Sequence, residues 1–369
     1  MTGNDVKFLD YVVIDRNTAL VYSRFLGYVS REESAATFIE NFASNKTKGW
    51  MSASSKKKIR KIVNRWLFSL EIIREHNNYS TSWLKNRITF VTLTLPAIQI
   101  ESDKENKRNL LNRFLIESYR KWKVNSYIWV AEKQKNGNLH YHILYDRYIE
   151  WREIRSLWNK ILDDNGYIEK YRQAQDLWHN PTFRVRENLL GTWSEKQQRE
   201  AYEYGVKTNW TDPNSTDIHS LRKIKNPAAY ITKYLTKSVD EEVRELKEKL
   251  RNQNLSDKAI RQEIDSYIRQ NHNQLLIDGK LWGCSKNLQN LKGINTELTP
   301  EITSWLYEEI EKNKCRRYDK DRFSIVYETD YRNIKNKSPT LYMEIVKMGA
   351  ENYKILNDKK LNHNKIMNE

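Results

Sequence analysis

Cysteine is nearly missing from this chain: Cys284 and Cys315 are the only two in 369 residues. That excludes a disulfide framework and a cysteine-rich zinc module, and it argues against redox chemistry as the theme. Long apolar runs are missing too. No uninterrupted stretch approaches the roughly 20 residues a membrane helix needs, and the N-terminus lacks the basic, apolar, small-residue succession of a signal peptide. The expectation is a soluble cytoplasmic protein without a membrane partner. No Gly-x4-Gly-Lys-Ser/Thr phosphate loop occurs, so no built-in ATPase is expected. Proline is scarce, at six residues, and 38% of the chain is hydrophobic, which argues for folded protein over extended disorder. The length fits one large domain or two ordinary ones, and no internal repeat is apparent.

What the chain does have is positive charge. Its formal net charge of +16 implies a polyanionic partner, nucleic acid before anionic membrane. Lys46 to Arg65 is dense in lysine and arginine, while Ile59, Ile62, Val63, Trp66, Leu67, Leu70 and Ile73 recur at helical spacing. This is a basic amphipathic helix, read equally well as a solvated face over a core or as a contact to a nucleic-acid backbone. Tyr11 to Ile14 is a short strand candidate. Ile88 to Leu95, "ITFVTLTL", is rich in β-branched and aromatic residues, ends at Pro96, and reads as a buried strand. A helix over Lys107 to Trp122 follows, then strands at Tyr127 to Gln134 and Leu139 to Tyr145. Further on, Trp151 to Leu162 reads as helix, Tyr167 to Phe183 as mixed, and Thr182 to Val185 as a strand candidate. Asn226-Pro227 opens a helix. Val239 to Leu250 and Lys258 to Arg269 form a charged helical pair joined near Asn254, with Ser256 or Asp257 as the cap.

Two patterns carry chemistry. His140, Tyr141 and His142 lie in a strand, where side chains alternate, so both imidazoles share a face and can converge on one cation. Glu132 lies eight residues upstream, across Asn136-Gly137, and is a third candidate ligand. A tight two-residue turn would place Glu132 on the wrong face, opposite Tyr141. An odd loop, such as Asn136 to Asn138, would place Glu132 across from His142 and Gln134 across from His140, and this is the register expected. The second pattern, "YITKYLTK", sets Tyr230, Lys233, Tyr234 and Lys237 on one helical face. A Mg²⁺ or Mn²⁺ ion can polarise a phosphodiester, and a tyrosine can attack phosphorus and keep the bond energy in an ester. The lysines can lower the phenol pKa or offset transition-state charge. Each pattern alone has an ordinary structural explanation, a packed histidine pair or an amphipathic helix.

Taken together the motifs resemble the HUH endonucleases that initiate rolling-circle replication of plasmids and single-stranded DNA phages. "FVTLTLP" at Phe90 to Pro96 looks like the first initiator motif, "HYH" is similar to the metal motif, "YITKYLTK" resembles the tyrosine motif, and their order agrees. The likeness spans Ile88 to Lys237, with a weaker one at "LWGCSKNL". Tyrosines four residues apart look like the two-tyrosine phage initiators, and the sequence leaves open whether one or both act.

The resemblance implies an α+β nuclease domain, a central antiparallel sheet flanked by helices, with basic helical extensions. The expected boundaries are 1–80 for a basic, mainly helical extension, 81–238 for the endonuclease and 239–369 for a helical accessory region that completes the nuclease near 275–290. Glu132, His140 and His142 would hold Mg²⁺ or Mn²⁺, and Tyr230 or Tyr234, with Tyr234 the first choice, would attack with help from Lys233 and Lys237. The product would be a 5′-phosphotyrosine link and a free 3′-OH. Implied partners are single-stranded or hairpin origin DNA, a separate host helicase and a host polymerase, in a bacterial or phage-infected cell. A mobilisation relaxase or single-strand transposase would share this chemistry. A non-catalytic DNA-binding regulator would bind without cleaving.

Overall fold

The computed structural model describes residues 8–25, 49–80, 83, 88–220, 240–253, 255–311, 315–320 and 323–358. In chain order the elements begin with the hairpin β1 (Phe8–Asp15) and β2 (Thr18–Phe25) and the helix α1 (Ala53–His76). The strand β3 (Thr89–Thr94) leads to α2 (Asp103–Asn106), which runs through a π-helical stretch at Lys107–Asn112 into α3 (Arg113–Trp122). A second hairpin, β4 (Tyr127–Lys133) and β5 (Leu139–Tyr145), precedes three helices, α4 (Trp151–Asp163), α5 (Tyr167–His179) and α6 (Glu195–Lys207). Next come β6 (Thr216–Ser220), α7 (Asp240–Asn252), α8 (Asp257–Asn271), β7 (Trp282–Cys284) and α9 (Lys286–Gln289). The chain continues with β8 (Ile294–Glu297), α10 (Pro300–Glu311), β9 (Arg316–Lys320), β10 (Phe323–Tyr327), α11 (Ile334–Lys337) and α12 (Pro339–Asn357). The fold is α+β, with two five-stranded antiparallel sheets among the described residues.

The described parts of Met1–Lys46, Lys57–Leu84 and Lys286–Lys359 form one compact unit, and those of Thr47–Lys56 and Lys85–Ser285 form the other. The first unit is built on the sheet β8-β1-β2-β10-β9. Val12 pairs with Thr296 and Leu20 with Ile325, so the two ends of the sequence share one sheet. Its core gathers Val12, Ile14, Phe68, Trp305, Ile334 and Ile345. Gly349 lets α12 approach α1 closely, since a Cβ there would meet Ile72 Cγ2 at 2.6 Å. On α1 the apolar positions expected from periodicity are all buried, while Lys57, Lys58, Arg60 and Lys61 are exposed. These observations replace the expected split at 80 and 238. The region 1–80 opens on a β-hairpin as well as a helix, and 239–369 contributes four strands besides its helices. Pairings between residues so far apart leave no mark on local periodicity.

The second unit carries the sheet β6-β3-β5-β4-β7. One face buries Leu93, Tyr141, Ile143 and Tyr145 under α2, α3 and α4. Tyr141 Oη donates to Asn106 Oδ1 at 2.6 Å, and Asn106 Nδ2 donates to Tyr167 Oη at 3.1 Å, so the polar atoms this helical layer buries are satisfied. The edge strand β7 comes from the segment 275–290 and pairs with β4, Gly283 opposite Trp129. On α8, Ser256 caps the helix by accepting from the Ala259 N–H. Two local expectations fail. Tyr167–His179 is a regular helix rather than mixed structure, and Thr182 to Val185 forms no strand.

Candidate active site

The site begins with the hairpin between β4 and β5. Glu132 pairs with His140, Lys133 with Leu139 and Val130 with His142. The ladder closes on Gln134, whose N–H donates to Asn138 O at 2.9 Å, leaving the three-residue turn Lys135-Asn136-Gly137. Gly137, at φ +83°, adopts the left-handed conformation such turns require and side chains resist. The loop is odd, as expected, but the register differs by two residues: Glu132 stands across from His140, not His142, and Gln134 across from Asn138, not His140. A shift of two preserves the face, so Glu132 stays beside both histidines.

The turn is fixed from outside as well. Asn138 accepts from the Gln99 N–H at 2.8 Å and donates to Ala97 O at 2.7 Å, and Lys133 Nζ reaches Asp103 Oδ1 at 2.6 Å. The loop after β3 thereby locks the end of β5 on which His140 lies.

On the open face, β3 contributes two threonines in register with the histidines. Thr94 pairs with His140 and Thr92 with His142, and each hydroxyl lies 3.2 Å from the Nδ1 of its partner. Glu132 Oε2 lies 3.1 Å from His142 Nε2, a diagonal cross-strand contact. The His142 ring stacks on Phe90 at 5.4 Å, and the two imidazoles lie 4.6 Å apart, centre to centre. Burial, reinforced by the neighbouring His142, pushes the His140 pKa down to about 4, against the opposing pull of Glu132 and Asp217. His140 is therefore neutral at pH 7, the state in which an imidazole can ligate a metal.

This donor set fits a divalent cation. Two atoms each bound about 2.1 Å from one ion sit roughly 3 Å apart, which matches the separation of Glu132 Oε2 and His142 Nε2. A threonine hydroxyl both donates and accepts, so Thr92 can hold Nδ1 in either tautomer. As His142 loses its Nε2 proton to take a metal, the Nδ1–H then donates to Thr92 without the ring turning. Among the described residues, no three His, Cys, Asp or Glu side chains close around a common point. Glu132 is engaged by hydrogen bonding to His142 and would have to turn toward the ion.

Sequence reasoning missed Thr92 and Thr94, and also Asp217, which pairs with Thr92 from β6. The alternation of "TLT" and "HYH" was the available signal, and it needs the β3–β5 register to become a contact. Tyr141 is excluded as a nucleophile. It points to the opposite face, is fully buried, and burial raises its pKa well above the usual phenol range. Tyr230, Lys233, Tyr234 and Lys237, with the helix expected from Asn226-Pro227, lie outside the described residues.

Comparison with known proteins adds a family correspondence. Residues 88–239, less than half of the chain, match the family model of the replication-associated proteins of the ORF2 type. The match starts at the strand bearing Thr92 and Thr94 and runs past the tyrosine motif, and it supports a role in initiating DNA replication. No curated protein and no solved structure matches the chain significantly. Among the described residues, no helix is long and apolar enough to cross a membrane.

Proposed function

We propose that this protein is a rolling-circle replication initiator that nicks single-stranded origin DNA by tyrosine attack and rejoins strands at termination. One observation carries the reading: the stretch matching the replication-associated family contains a sheet face with two threonine-anchored histidines and Glu132 within hydrogen-bonding distance. Glu132, His140 and His142 would hold Mg²⁺ or Mn²⁺, which supplies polarisation of the scissile phosphodiester and stabilisation of charge on its oxygens.

The remaining work falls to side chains. Thr92 and Thr94 orient the imidazoles, and burial keeps His140 neutral. The phenol oxygen of Tyr234, or of Tyr230, forms a bond to phosphorus while the bond to the 3′ oxygen breaks. That oxygen takes up a proton to become a free 3′-OH, and the phosphate remains on the protein as a 5′-phosphotyrosine ester. Lys233 and Lys237 favour the phenolate and offset the charge of the transition state. Attack by a later 3′-OH reverses the sequence and seals the strand. A host polymerase would extend the 3′ end, and a separate helicase would unwind ahead of it.

Incubating the protein with its replicon's origin as a labelled single strand, with and without Mn²⁺, tests the reading. The expected product is a denaturant-resistant protein–DNA adduct that requires the ion and disappears in the Tyr230→Phe, Tyr234→Phe double variant. Binding with no adduct and no cleavage at any ion concentration would instead favour a non-catalytic DNA-binding regulator.

A further inference from the structure

Beside the sheet, α4, α5, α6 and the turn before β6 enclose a pocket of about 510 Å³ that the chemistry above does not use. Its walls are aromatic. The His179 ring lies parallel to Phe183 at 5.8 Å and to Trp210 at 5.9 Å, with Tyr202 tilted against it at 4.7 Å. Trp210 forms the floor at φ +55°, a conformation costly for a bulky residue. It fits there because Gly205 has no side chain: a Cβ would meet the indole at 2.0 Å.

The mouth of the pocket is cationic. Arg155 and Arg186 line it, and Arg199 stacks over Phe183 at 4.5 Å. Arg155 Nε is buried with no hydrogen-bond partner, which leaves a charged donor awaiting an acceptor. The one carboxylate in the wall, Asp212, already accepts from Asn159 Nδ2 at 2.7 Å and Tyr204 Oη at 2.6 Å. A second hollow of about 760 Å³ shares Arg155, Tyr204 and Asp212 and continues past Trp151, over which Arg152 and Arg155 stack at 4.5 and 4.6 Å. Pro96 and Asn214 connect the pocket to the sheet: Pro96 lies two residues beyond Thr94, which contacts His140.

From this juxtaposition we propose that the pocket takes an unpaired nucleobase of single-stranded DNA, stacked among His179, Phe183 and Trp210, with flanking phosphates on Arg155 and Arg186. Parallel aromatic planes suit the flat face that every base carries, and guanidinium groups beside them suit the backbone. Paired bases are stacked on each other and cannot enter, so the pocket selects single strands. This deepens the proposed nicking role, on which it rests, by giving the substrate strand a holding point near the histidine end of the sheet.

The test uses the full chain in EDTA, so that binding is read without cleavage. Fluorescence anisotropy compares a thymidine 12-mer with a 12-mer of abasic sugar-phosphates, which has the same charge and no bases. His179→Ala and Phe183→Ala should each weaken thymidine 12-mer binding roughly 5- to 100-fold, the range expected for one lost base stack. Binding of the abasic 12-mer should change by less than about twofold. Equal losses on both ligands, or no loss on either, would overturn the proposal. A second readout needs no variant: a single 2-aminopurine within the thymidine 12-mer should be quenched on binding to the unaltered protein, and absence of quenching at every position would equally overturn it. Because neither readout involves nicking, a protein that never cleaves could still pass, and a nicking enzyme could still fail here alone.

Discussion

Thr92 and Thr94 hold two imidazoles by one repeated device, a hydroxyl 3.2 Å from Nδ1. Replacing either with valine keeps the shape and removes the hydrogen bond. If the histidines ligate a metal, Thr92→Val and Thr94→Val should each weaken Mn²⁺ binding by roughly 10- to 100-fold, as loss of a supporting partner does; isothermal titration would measure it. His140 gives a second expectation at this scale. Burial lowers its pKa from 6.5 to about 4, so between those values the unfolded chain binds more protons than the folded one. In metal-free protein the resulting stability is fully present above pH 6.5 and declines as pH falls toward 4, by up to about 3 kcal/mol. Urea unfolding across that window should follow this decline, and His140→Gln should flatten it. An unchanged slope in the variant would assign the decline to other groups.

At the scale of elements, legibility tracks locality. The boundaries of β5, Leu139–Tyr145, agree with the expectation from alternation, because one strand with two buried faces writes its period directly into sequence. The Ser256 cap was legible for the same reason. The register between β4 and β5 was legible only as to face. Its two-residue offset is set by Asn138, bonded to Gln99 and Ala97 from another loop, and no local pattern records such contacts. The helix Tyr167–His179 was obscured because its aromatic residues line a pocket and do not form a single apolar stripe. The edge strand β7 supplies a prediction here. A Cβ on Gly283 would lie 2.7 Å from Trp129 Nε1, too close for β7 to stay paired. Gly283→Val should therefore speed hydrogen exchange at Ala131, whose N–H donates to Leu281 O, while leaving the β3–β5 amides protected. Loss of protection across the whole sheet would mean β7 is integral to the unit rather than an edge.

For the molecule as a whole, the sequence placed the chemistry in the middle of the chain and regarded both ends as additions. The middle corresponds to the family match at residues 88–239, whereas the ends combine into a separate unit with its own sheet. Strand pairing across the full length of the chain, Val12 with Thr296, explains why that unit was invisible locally. The net charge of +16 gives binding a strong dependence on salt, so every comparison between variants must be made at one ionic strength.

The central claim is that Glu132, His140 and His142 direct a tyrosine of the "YITKYLTK" segment onto a DNA phosphate. Mass spectrometry of protease-digested protein, after reaction with single-stranded origin DNA and Mn²⁺, tests it most directly. The account predicts a nucleotide phosphate on the peptide holding Tyr230 and Tyr234, and no such mass for His142→Ala. A cleaved strand with a free 5′-phosphate and no modified peptide, or an adduct that persists in His142→Ala, would contradict it.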